Sequence, residues 1–293
     1  MKKKCNLQKI IAIFVIEMYF LTTARMQLAL HHPEDGFYRG TRFDRSGVFD
    51  GLLVDGLQLC DRWYPRYDPY LHDTVCGPAE EFTLCGAVKV GVGLLLLDAQ
   101  PYDRFRLYPV ADSGVWTAEE GDGRVVFRHR LEGYYTYEKE IALTGEASFA
   151  IRHAFTPALA WTGEVYNHNF FTMGRLETGP SREVDFPFRP EGDWRAVYDS
   201  VGFTESGIRF SRRLQEGESV YTGNIHAAGQ TGMPYEMTLR EGRMAVHIRG
   251  SVPVTRTVLW ANHRIACLEP YNALDVGPGV TFRWNVEYAV EKK

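Results

Sequence analysis

Two short segments of the chain carry the side chains best suited to proton transfer. The first, YNHNFF at residues 166–171, places His168 between two asparagines in an aromatic stretch. The second, ACLEPYN at residues 266–272, places Glu269 at the end of an apolar stretch, just before a proline. A histidine, with an ordinary pKa of about 6.5, readily exchanges a proton at neutral pH, whereas a glutamate, at about 4.3, is ionised. If folding brings the two to opposite ends of one cleft, they can act as an acid and base couple on a small substrate.

Each of these side chains also has a purely structural interpretation. A histidine in a strand often satisfies its hydrogen bonds inside the core, and a carboxylate at a strand end often caps a turn or pairs with an arginine such as Arg264. The apolar residues before Glu269 favour its partial burial. The presence of both residues in one chain favours the catalytic interpretation.

A third segment, HDTVCGPAEEF at residues 72–82, holds His72 and two adjacent carboxylates, Glu80 and Glu81. Neighbouring residues of a strand face opposite ways, so at most one of the two glutamates can line a cleft. We assign that position to Glu81. Large aromatic side chains can stack on a ligand ring but more often fill the core of a β-protein. Those considered are Trp63, Tyr64, Trp194 and Trp260.

Apolar and polar residues alternate along much of the chain, with the period of two that is typical of half-buried strands. The clearest segments are 123–131, 134–143, 148–155 and 243–250. The apolar run at 87–98 is interpreted as strands buried on both faces, since its glycines disfavour a helix. Many antiparallel strands over this length predict an all-β fold, either a large antiparallel β-sandwich or a closed barrel.

Dipeptides typical of β-turns separate these runs at short spacing. They are Asp50-Gly51, Asp55-Gly56, Asp122-Gly123, Glu132-Gly133 and Glu241-Gly242. Each predicts a reversal of chain direction between neighbouring strands.

The composition is that of an ordinary globular protein with a sizeable core, since 45% of the 293 residues are hydrophobic and 24% are charged. We predict one domain over residues 26–293, because β-sandwiches of this length often form a single unit. The formal net charge of −4 argues against a nucleic-acid partner, whose phosphates call for a concentrated basic surface. The composition carries no signal for an oligomeric state.

The first 25 residues differ in composition from the rest of the chain. Basic residues 2–4 precede an apolar stretch at 10–16, and small residues at 22–24 fit a signal-peptide cleavage site. Glu17 lies against this interpretation, and the apolar stretch is too short to make a stable membrane span. Residues 1–25 are therefore interpreted either as a signal peptide or as a misassigned extension upstream of a start at Met26.

The cysteines favour a cytoplasmic protein. Downstream of Cys5 they show neither C-x-x-C spacing nor the Cys/His pattern of a zinc site. They are Cys60, Cys76, Cys85 and Cys267. A chain of this size does not need disulfides, so we expect free thiols and no metal site. The location would be periplasmic or secreted if residues 1–24 are a working signal peptide.

Two of the segments resemble those of a known enzyme family. YNHNFF resembles the N-H-x-Y-F-N segment of aldose 1-epimerases, the galactose mutarotase group, and CLEP at 267–270 resembles the strand end that carries their catalytic glutamate. Their order is also similar, since the glutamate precedes a final strand at 280–290. YRGTRFDRSG at 38–47 resembles the opening strand of an atypical bacterial branch of that group. The resemblance extends from about residue 36 onward and implies a galactose mutarotase-like supersandwich.

The resemblance implies that the chain interconverts the anomers of an aldose. Glu269 matches the general base that takes the proton of the anomeric hydroxyl, and His168 matches the general acid that protonates the ring oxygen. Asn167 and Arg42 would bind sugar hydroxyls. No metal or organic cofactor is implied, and the expected partner is a sugar substrate.

The chain departs from the family pattern at one point. Mutarotases usually carry a second active-site histidine in a Gly- and His-rich segment, which this sequence lacks, and His72 is the candidate to replace it. The departure implies a substrate other than galactose or glucose, such as a modified or oligomeric sugar.

Two rival functions fit the same residues. In a polysaccharide lyase or another glycoside-cleaving enzyme, Asn167 and an arginine would neutralise a uronate while His168 or Tyr166 removes the C5 proton. A carbohydrate-binding module would keep its affinity for sugar after loss of both His168 and Glu269. A shared fold does not decide between these chemistries.

Overall fold

The computed structural model describes residues 18–195, 199–229 and 233–293. These residues form 23 β-strands, numbered here along the chain, and contain no α-helix. Every pair of neighbouring strands is antiparallel, and the strands form four sheets. The predicted all-β antiparallel sandwich is therefore confirmed. Within the described ranges, no helix has the length and apolar character that crossing a membrane requires.

The largest sheet contains ten strands and forms one layer of the sandwich. In spatial order they are β16 (Val201–Phe203), β17 (Gly207–Phe210), β14 (Arg182–Asp185), β19 (Glu236–Glu241), β20 (Met244–Gly250), β23 (Phe282–Lys292), β12 (Ser148–Pro157), β11 (Tyr135–Gly145), β10 (Arg124–Leu131) and β9 (Val115–Gly121).

A six-stranded sheet forms the opposing layer. In spatial order its strands are β15 (Pro190–Arg195), β18 (Ser219–Ala227), β21 (Arg256–Asn262), β22 (Ala266–Val276), β13 (Trp161–Phe170) and β5 (Gly77–Phe82). Two smaller sheets complete the fold. The first consists of β1 (Met18–Thr22), β2 (Met26–His31), β3 (Phe49–Val54) and β4 (Leu57–Gln58), and the second of β6 (Val88–Lys89), β7 (Gly93–Leu95) and β8 (Val110–Asp112).

Alternating side chains of the two large sheets meet in a common core. Phe149 and Ile151 of β12 belong to the same buried cluster as Leu259 of β21 and Leu28 of β2. Each is fully shielded from solvent. Burying a side chain of this size contributes roughly 1.5–3 kcal/mol, so the period-two pattern read from the sequence specifies which face of each strand turns inward.

The predicted turns hold at four of five positions. Asp55-Gly56, Asp122-Gly123 and Glu132-Gly133 lie between consecutive strands, and Glu241-Gly242 spans the last residue of β19 and the turn before β20. The prediction at Asp50-Gly51 is wrong, since both residues lie inside β3, where Gly51 pairs with Ala29. The predicted opening strand at 38–47 is also wrong. This segment is irregular, and its backbone N–H groups bond outside any ladder, as Asp44 does to the carbonyl of Glu80.

The apolar run at 87–98 forms strands, as predicted, but they are short. The turn between β6 and β7 contains Gly91, whose φ angle is 74°, and β7 begins at Gly93, whose φ angle is 130°. A Cβ at Gly91 would lie 2.2 Å from Oδ1 of Asp44, so only glycine fits there. Leu96 and Leu97, beyond β7, are exposed rather than buried on both faces.

The N-terminal boundary predicted between residues 25 and 26 cuts a hairpin. β1 pairs with β2 from Met18 opposite His31 to Thr22 opposite Gln27, and Leu21 lies in the main core cluster. Residues 18–25 thus contribute a strand and a turn to the fold. Residues 1–17, with Glu17 and the apolar stretch, lie outside the described ranges, so the leader itself stays a prediction.

His129 on β10 should make the stability of the sandwich depend on pH. Its Nε2–H donates to the Ser113 carbonyl at 2.8 Å, and its Nδ1 accepts from the Tyr135 hydroxyl at 2.9 Å. Burial lowers the pKa of His129 to about 4. Between this value and the unfolded value near 6.5, only the unfolded chain binds the proton, so acid favours unfolding. We expect this residue to contribute roughly 3 kcal/mol that is lost as the pH falls from about 6.5 to 4.

Urea titrations at several pH values would measure that loss as the unfolding free energy. In His129→Gln, which cannot titrate, the decline between pH 6.5 and 4 should be shallower than in the wild type, whatever the starting stability. His247→Gln is the matched control, because this side chain is partly exposed on β20. An equally steep decline in His129→Gln and the wild type would contradict the assignment.

Candidate active site

The YNHNFF segment lies in β13 and its continuation, where alternate side chains face opposite sides of the six-stranded sheet. Tyr166, His168 and Phe170 form a row of rings on one side, with the His168 ring 5.0 Å from Tyr166 and 5.3 Å from Phe170 between centroids. Asn167 and Asn169 face the other side, toward the ten-stranded sheet, where they accept hydrogen bonds from Tyr235 and Tyr288. One strand thus supplies both a reactive surface and a polar layer of the interior.

His168 and Glu269 are cross-strand neighbours. β13 and β22 pair with Tyr166 opposite Tyr271 and with Asn169 opposite Leu268, and this register places His168 opposite Glu269. Directly opposed side chains of an antiparallel pair lie close together. The His168 Nδ1 is accordingly 3.2 Å from Glu269 Oε1. The two residues therefore do not lie at opposite ends of a cleft, as expected from the sequence, but in direct contact.

Glu269 lies inside a strand rather than at its end, because β22 continues through Pro270 to Val276. Proline has no N–H to give to a ladder, and a central strand normally excludes it. Pro270 pairs with Thr257 of β21, whereas the ladder with β13 is interrupted between Tyr166 and Asn169. The interruption coincides with His168 and Glu269, so the local irregularity of the sheet lies at the reactive pair.

The other ring nitrogen of His168 contacts a buried carboxylate on β5. The His168 Nε2 lies 3.1 Å from Glu81 Oε2, which also accepts a 2.7 Å hydrogen bond from the Nε–H of Arg42. Burial alone would raise the pKa of Glu81, but Arg42, His168 and the nearby Lys89 outweigh it and hold the pKa well below its ordinary value. Glu81 is therefore a permanent anion that fixes the imidazole through its Nε2–H.

A cavity of about 590 Å³ opens in front of the reactive pair. His168 and Glu269 line it together with two stacked aromatic groups, Phe170 and Trp63, whose rings are 5.2 Å apart. The Nδ1 of His168 is buried and makes no well-aligned hydrogen bond within the described residues. The pair therefore forms part of the cavity wall, and cavities of roughly 300–1,000 Å³ are typical of small-molecule sites.

The structure places most of the predicted site residues around this cavity. Arg42 and His72 line it beside His168 and Glu269, and the His72 ring lies edge-on to Phe105 at 5.1 Å. Glu81 was predicted to bind substrate, but it lies behind the cavity wall with 2% of its surface exposed. It contacts the lining residues instead of the cavity itself. The glutamate that turns away from the site is Glu80, as the alternation of β5 requires.

The predicted contact of Asn167 with substrate is wrong. Asn167 is fully buried on the interior side of β13 and donates a 2.9 Å hydrogen bond to Glu80 Oε1. Glu80 in turn pairs with Lys139 of the ten-stranded sheet. The physical reason is the two-residue period of the strand, which sends Asn167 inward wherever His168 faces the cavity.

Sequence reasoning found some aromatic and missed several basic lining residues. Trp63 and Trp260 line the cavity with their rings 5.4 Å apart, whereas Trp194 packs against Phe203. The lining residues that were missed include Arg104, Phe105, Arg195, Tyr221, Asn224, Arg256 and Tyr271. A signal was available only for Tyr271, which lies two residues after Glu269 and so faces the same side of β22.

Three possible metal ligands meet at the site. The Nδ1 of His168, the Sγ of Cys267 and a carboxylate oxygen of Glu269 lie within 4.8 Å of one another. Burial raises the pKa of the Cys267 thiol well above its ordinary value, whereas a metal is bound by the thiolate. The Cys267 thiol is therefore a poor metal ligand in this arrangement, and the absence of a metal cofactor stays a prediction.

Comparison with known proteins identifies the fold. No family model and no curated protein matches the sequence. An Escherichia coli K12 protein, provisionally assigned as an aldose 1-epimerase, superposes with a TM-score of 0.62 at 13% identity, covering 95% of this chain and 100% of its own. An aldose epimerase homologue from C. elegans gives 0.55 at 11% identity, with 94% and 99% covered. A galactose mutarotase-like protein from Clostridium acetobutylicum gives 0.54 at 12% identity, with 95% and 99% covered.

The coverage is nearly complete in both directions, so the whole described chain has the galactose mutarotase-like fold. The resemblance found in the sequence is confirmed at this level. At identities of 11–13%, the likeness to these chains establishes the fold alone. The chemistry has to be argued from the side chains of the site.

Proposed function

We propose that the protein interconverts the anomers of an aldose by acid and base catalysis. The observation that carries this proposal is the 3.2 Å contact between His168 Nδ1 and Glu269 Oε1 at the wall of a cavity of about 590 Å³. Acid and base in contact suit a hemiacetal, because the ring oxygen and the anomeric hydroxyl oxygen are bonded to the same carbon. One proton must leave the hydroxyl while another reaches the ring oxygen.

In the proposed reaction Glu269 accepts the proton of the anomeric hydroxyl, and His168 donates its Nδ1 proton to the ring oxygen. The bond between C1 and the ring oxygen breaks, and C1 becomes a carbonyl carbon. Rotation about the C1–C2 bond presents the other face of the carbonyl, and both proton transfers then run in reverse. The ring closes as the other anomer, and His168 and Glu269 return to their starting protonation states.

Glu81 and Arg42 act as positioning residues for this step. Glu81 accepts the Nε2–H of His168, and Arg42 holds Glu81 through a 2.7 Å hydrogen bond. A carboxylate behind an imidazole fixes the orientation of the ring and stabilises its protonated form. The proton that moves is then the one on Nδ1, the ring nitrogen on the side of Glu269.

The buried face of β13 supports the site without contacting substrate. Asn167→Ala should lower the unfolding free energy by about 1–3 kcal/mol, because Glu80 loses a donor and Tyr235 loses an acceptor inside the sandwich. The KM for the sugar should change little. Urea denaturation measures the unfolding free energy, and initial-rate kinetics on the same preparation measure the KM. A raised KM with an unchanged unfolding free energy would assign Asn167 to the binding site after all.

Anomer exchange followed by NMR over a panel of aldoses tests the proposal. Wild-type protein should bring the two anomers of at least one aldose into exchange faster than buffer alone does. If no member of a panel that includes neutral, acidic and phosphorylated aldoses exchanges faster than in buffer, the proposed function is wrong.

The arginines of the cavity favour a second candidate, a lyase that acts on uronic-acid polymers. Arg256 and Arg104 would neutralise a uronate carboxylate, and Tyr271, which lines the cavity between them, would take part in proton abstraction. Elimination creates a carbon–carbon double bond that anomer exchange does not. A rise in ultraviolet absorbance on incubation with such polymers would therefore select the lyase.

A further inference from the structure

The cavity has a charge opposite in sign to that of the whole chain. Four arginines line it, against the carboxylates of Asp73 and Glu269 alone. The lining therefore carries an excess of two positive charges in a protein of net charge −4. The arginines are Arg42, Arg104, Arg195 and Arg256. A concave surface lined by one sign of charge concentrates ligands of the other sign.

The carboxylate behind the cavity wall does not offset this excess. Glu81 is shared by three cations, with its oxygens 2.7 Å from Arg42 Nε, 3.6 Å from Arg104 Nη1 and 3.7 Å from Lys89 Nζ. Burial, with Arg104 and Arg42 close by, lowers the pKa of Lys89 to about 8. Arg42 and Arg104 are already counted in the lining, so Glu81 and Lys89 add one charge of each sign and leave the excess of two unchanged. The Glu81 group thus positions residues rather than neutralising the cavity.

Two arginines on the opposite flank of the cavity differ in their pairing, since Arg256 has a carboxylate partner and Arg195 has none among the described residues. Arg256 on β21 stacks over the Tyr271 ring at 4.1 Å and bonds with Glu164 at 2.7 Å, which fixes the plane of its guanidinium. Arg195 at the end of β15 has no carboxylate within ion-pair distance among the described residues, and its guanidinium lies 6.0 Å from the Tyr221 ring. Arg195 is therefore the least neutralised cation of the cavity wall.

The local backbone leaves the Arg195 guanidinium uncovered. β18 has an irregular register between Thr222 and Ile225, where Gly223 and Asn224 line the cavity. A Cβ at Gly223 would lie 3.6 Å from the Arg195 Cζ, so any larger side chain would extend over the guanidinium. Irregularities of this kind often re-aim side chains next to active sites. The glycine keeps the N–H groups of Arg195 open to the cavity.

The sheet register places these arginines away from the reactive pair. Glu269 pairs with Val258 of β21, and Arg256 lies two residues along that strand, roughly 7 Å away by the rise per residue. Arg195 lies on β15, three strands from β22, which corresponds to roughly 14 Å between backbones. Arginine side chains extend into the space between. A sugar with C1 at Glu269 would therefore direct its far substituents toward Arg195 and Arg256.

We propose that the substrate is an aldose with a negative charge, a carboxylate or a phosphate, remote from its anomeric carbon, and that Arg195 and Arg256 bind this group. The inference rests on the proposed function and names its substrate class. The planar guanidinium matches either oxyanion with two parallel N–H bonds. Because the contact is made with a group that does not react, it contributes to the binding of substrate rather than to the proton transfer.

Anomer-exchange rates for glucose, glucuronate and glucose 6-phosphate test the inference and identify which oxyanion is bound. For the wild type, kcat/KM should be at least tenfold higher for one charged sugar than for glucose. In Arg195→Gln, the KM for that sugar should rise about tenfold with little change in kcat, as expected when uniform binding is removed. In this variant the loss of kcat/KM for the charged sugar should exceed any loss for glucose by about tenfold. Arg195→Lys should recover part of the lost kcat/KM.

Arg130→Gln is the matched control, because Arg130 is an exposed arginine on the ten-stranded sheet. A wild-type preference for glucose, or equal losses for all three sugars in Arg195→Gln, would overturn the inference while leaving anomer exchange intact. If no sugar exchanges, the proposed function fails instead. Calorimetric binding of the three sugars to wild type and Arg195→Gln still decides the inference in that case, since charge-selective binding that depends on Arg195 supports it and its absence rejects it.

Discussion

Replacing Glu269 with glutamine is expected to slow anomer exchange by about 10²-fold or more. Glutamine has nearly the same shape but cannot accept the proton of the anomeric hydroxyl. The variant should fold normally, because Glu269 faces the cavity and makes its close contact with His168 alone among the ion pairs of the described residues. Polarimetry or NMR on a freshly dissolved single anomer measures the rate.

Glu287→Gln is the matched control for this loss. It makes the same chemical change at an exposed position of β23, so its exchange rate should equal that of the wild type. A rate in Glu269→Gln within a few-fold of the wild-type value would remove Glu269 from the reaction. The 3.2 Å contact with His168 would then be structural.

Replacing His168 with asparagine should also lower kcat by about 10²-fold or more, because the ring oxygen loses its proton donor. His168 is fully buried between Glu81 and Glu269. Loss of the imidazole therefore leaves two carboxylates without their shared partner, so we expect some loss of stability as well. Thermal unfolding of the variant separates the two effects.

His129→Gln is the comparison that separates a catalytic role of His168 from a merely structural one. It removes another buried histidine, on β10 of the opposite sheet, and should lower stability while leaving the exchange rate per folded molecule unchanged. If His168→Asn behaves in the same way, its imidazole positions the site and does not transfer a proton. Combining His168→Asn with Glu269→Gln should add little to either loss, since residues that act as a unit are not additive.

Much of the fold follows from local patterns in the sequence. β10, β11, β12 and β20 all overlap the segments in which apolar and polar residues alternate. Alternation is a reliable signal there because one face of each strand is buried and the other is not. It fails for Asp50-Gly51, where a turn-like dipeptide lies inside β3, since pairing with β2 overrides the local preference.

The site is harder to predict from the sequence than the fold, because it depends on which distant strands pair. The resemblance of YNHNFF and CLEP to known motifs selects His168 and Glu269. Only the register of β13 with β22, however, places one opposite the other. The same register sends Asn167 to the interior, where it bonds to Glu80. A sequence motif thus identifies the residues, whereas the face that each one presents is decided by the sheet.

The arginines of the cavity are even harder to predict from the sequence. Arg104 lies in an irregular segment between β7 and β8, and Arg195 lies at the end of a strand on the far edge of the six-stranded sheet. Neither belongs to a motif or to a charged run of the sequence. Their common position around one cavity arises from loop conformation and strand order, which alternation and composition do not encode.

The central claim is that His168 and Glu269 exchange protons with a closed sugar ring, and one paired measurement tests it most directly. Wild-type protein and Glu269→Gln are each given a single anomer of the panel's best aldose and, separately, a uronic-acid polymer, with NMR exchange and ultraviolet absorbance recorded in parallel. The account predicts rapid exchange with the wild type, exchange near the buffer rate with Glu269→Gln, and no new absorbance with either. Absorbance that rises with the wild type, or exchange that is unaffected in Glu269→Gln, would contradict it.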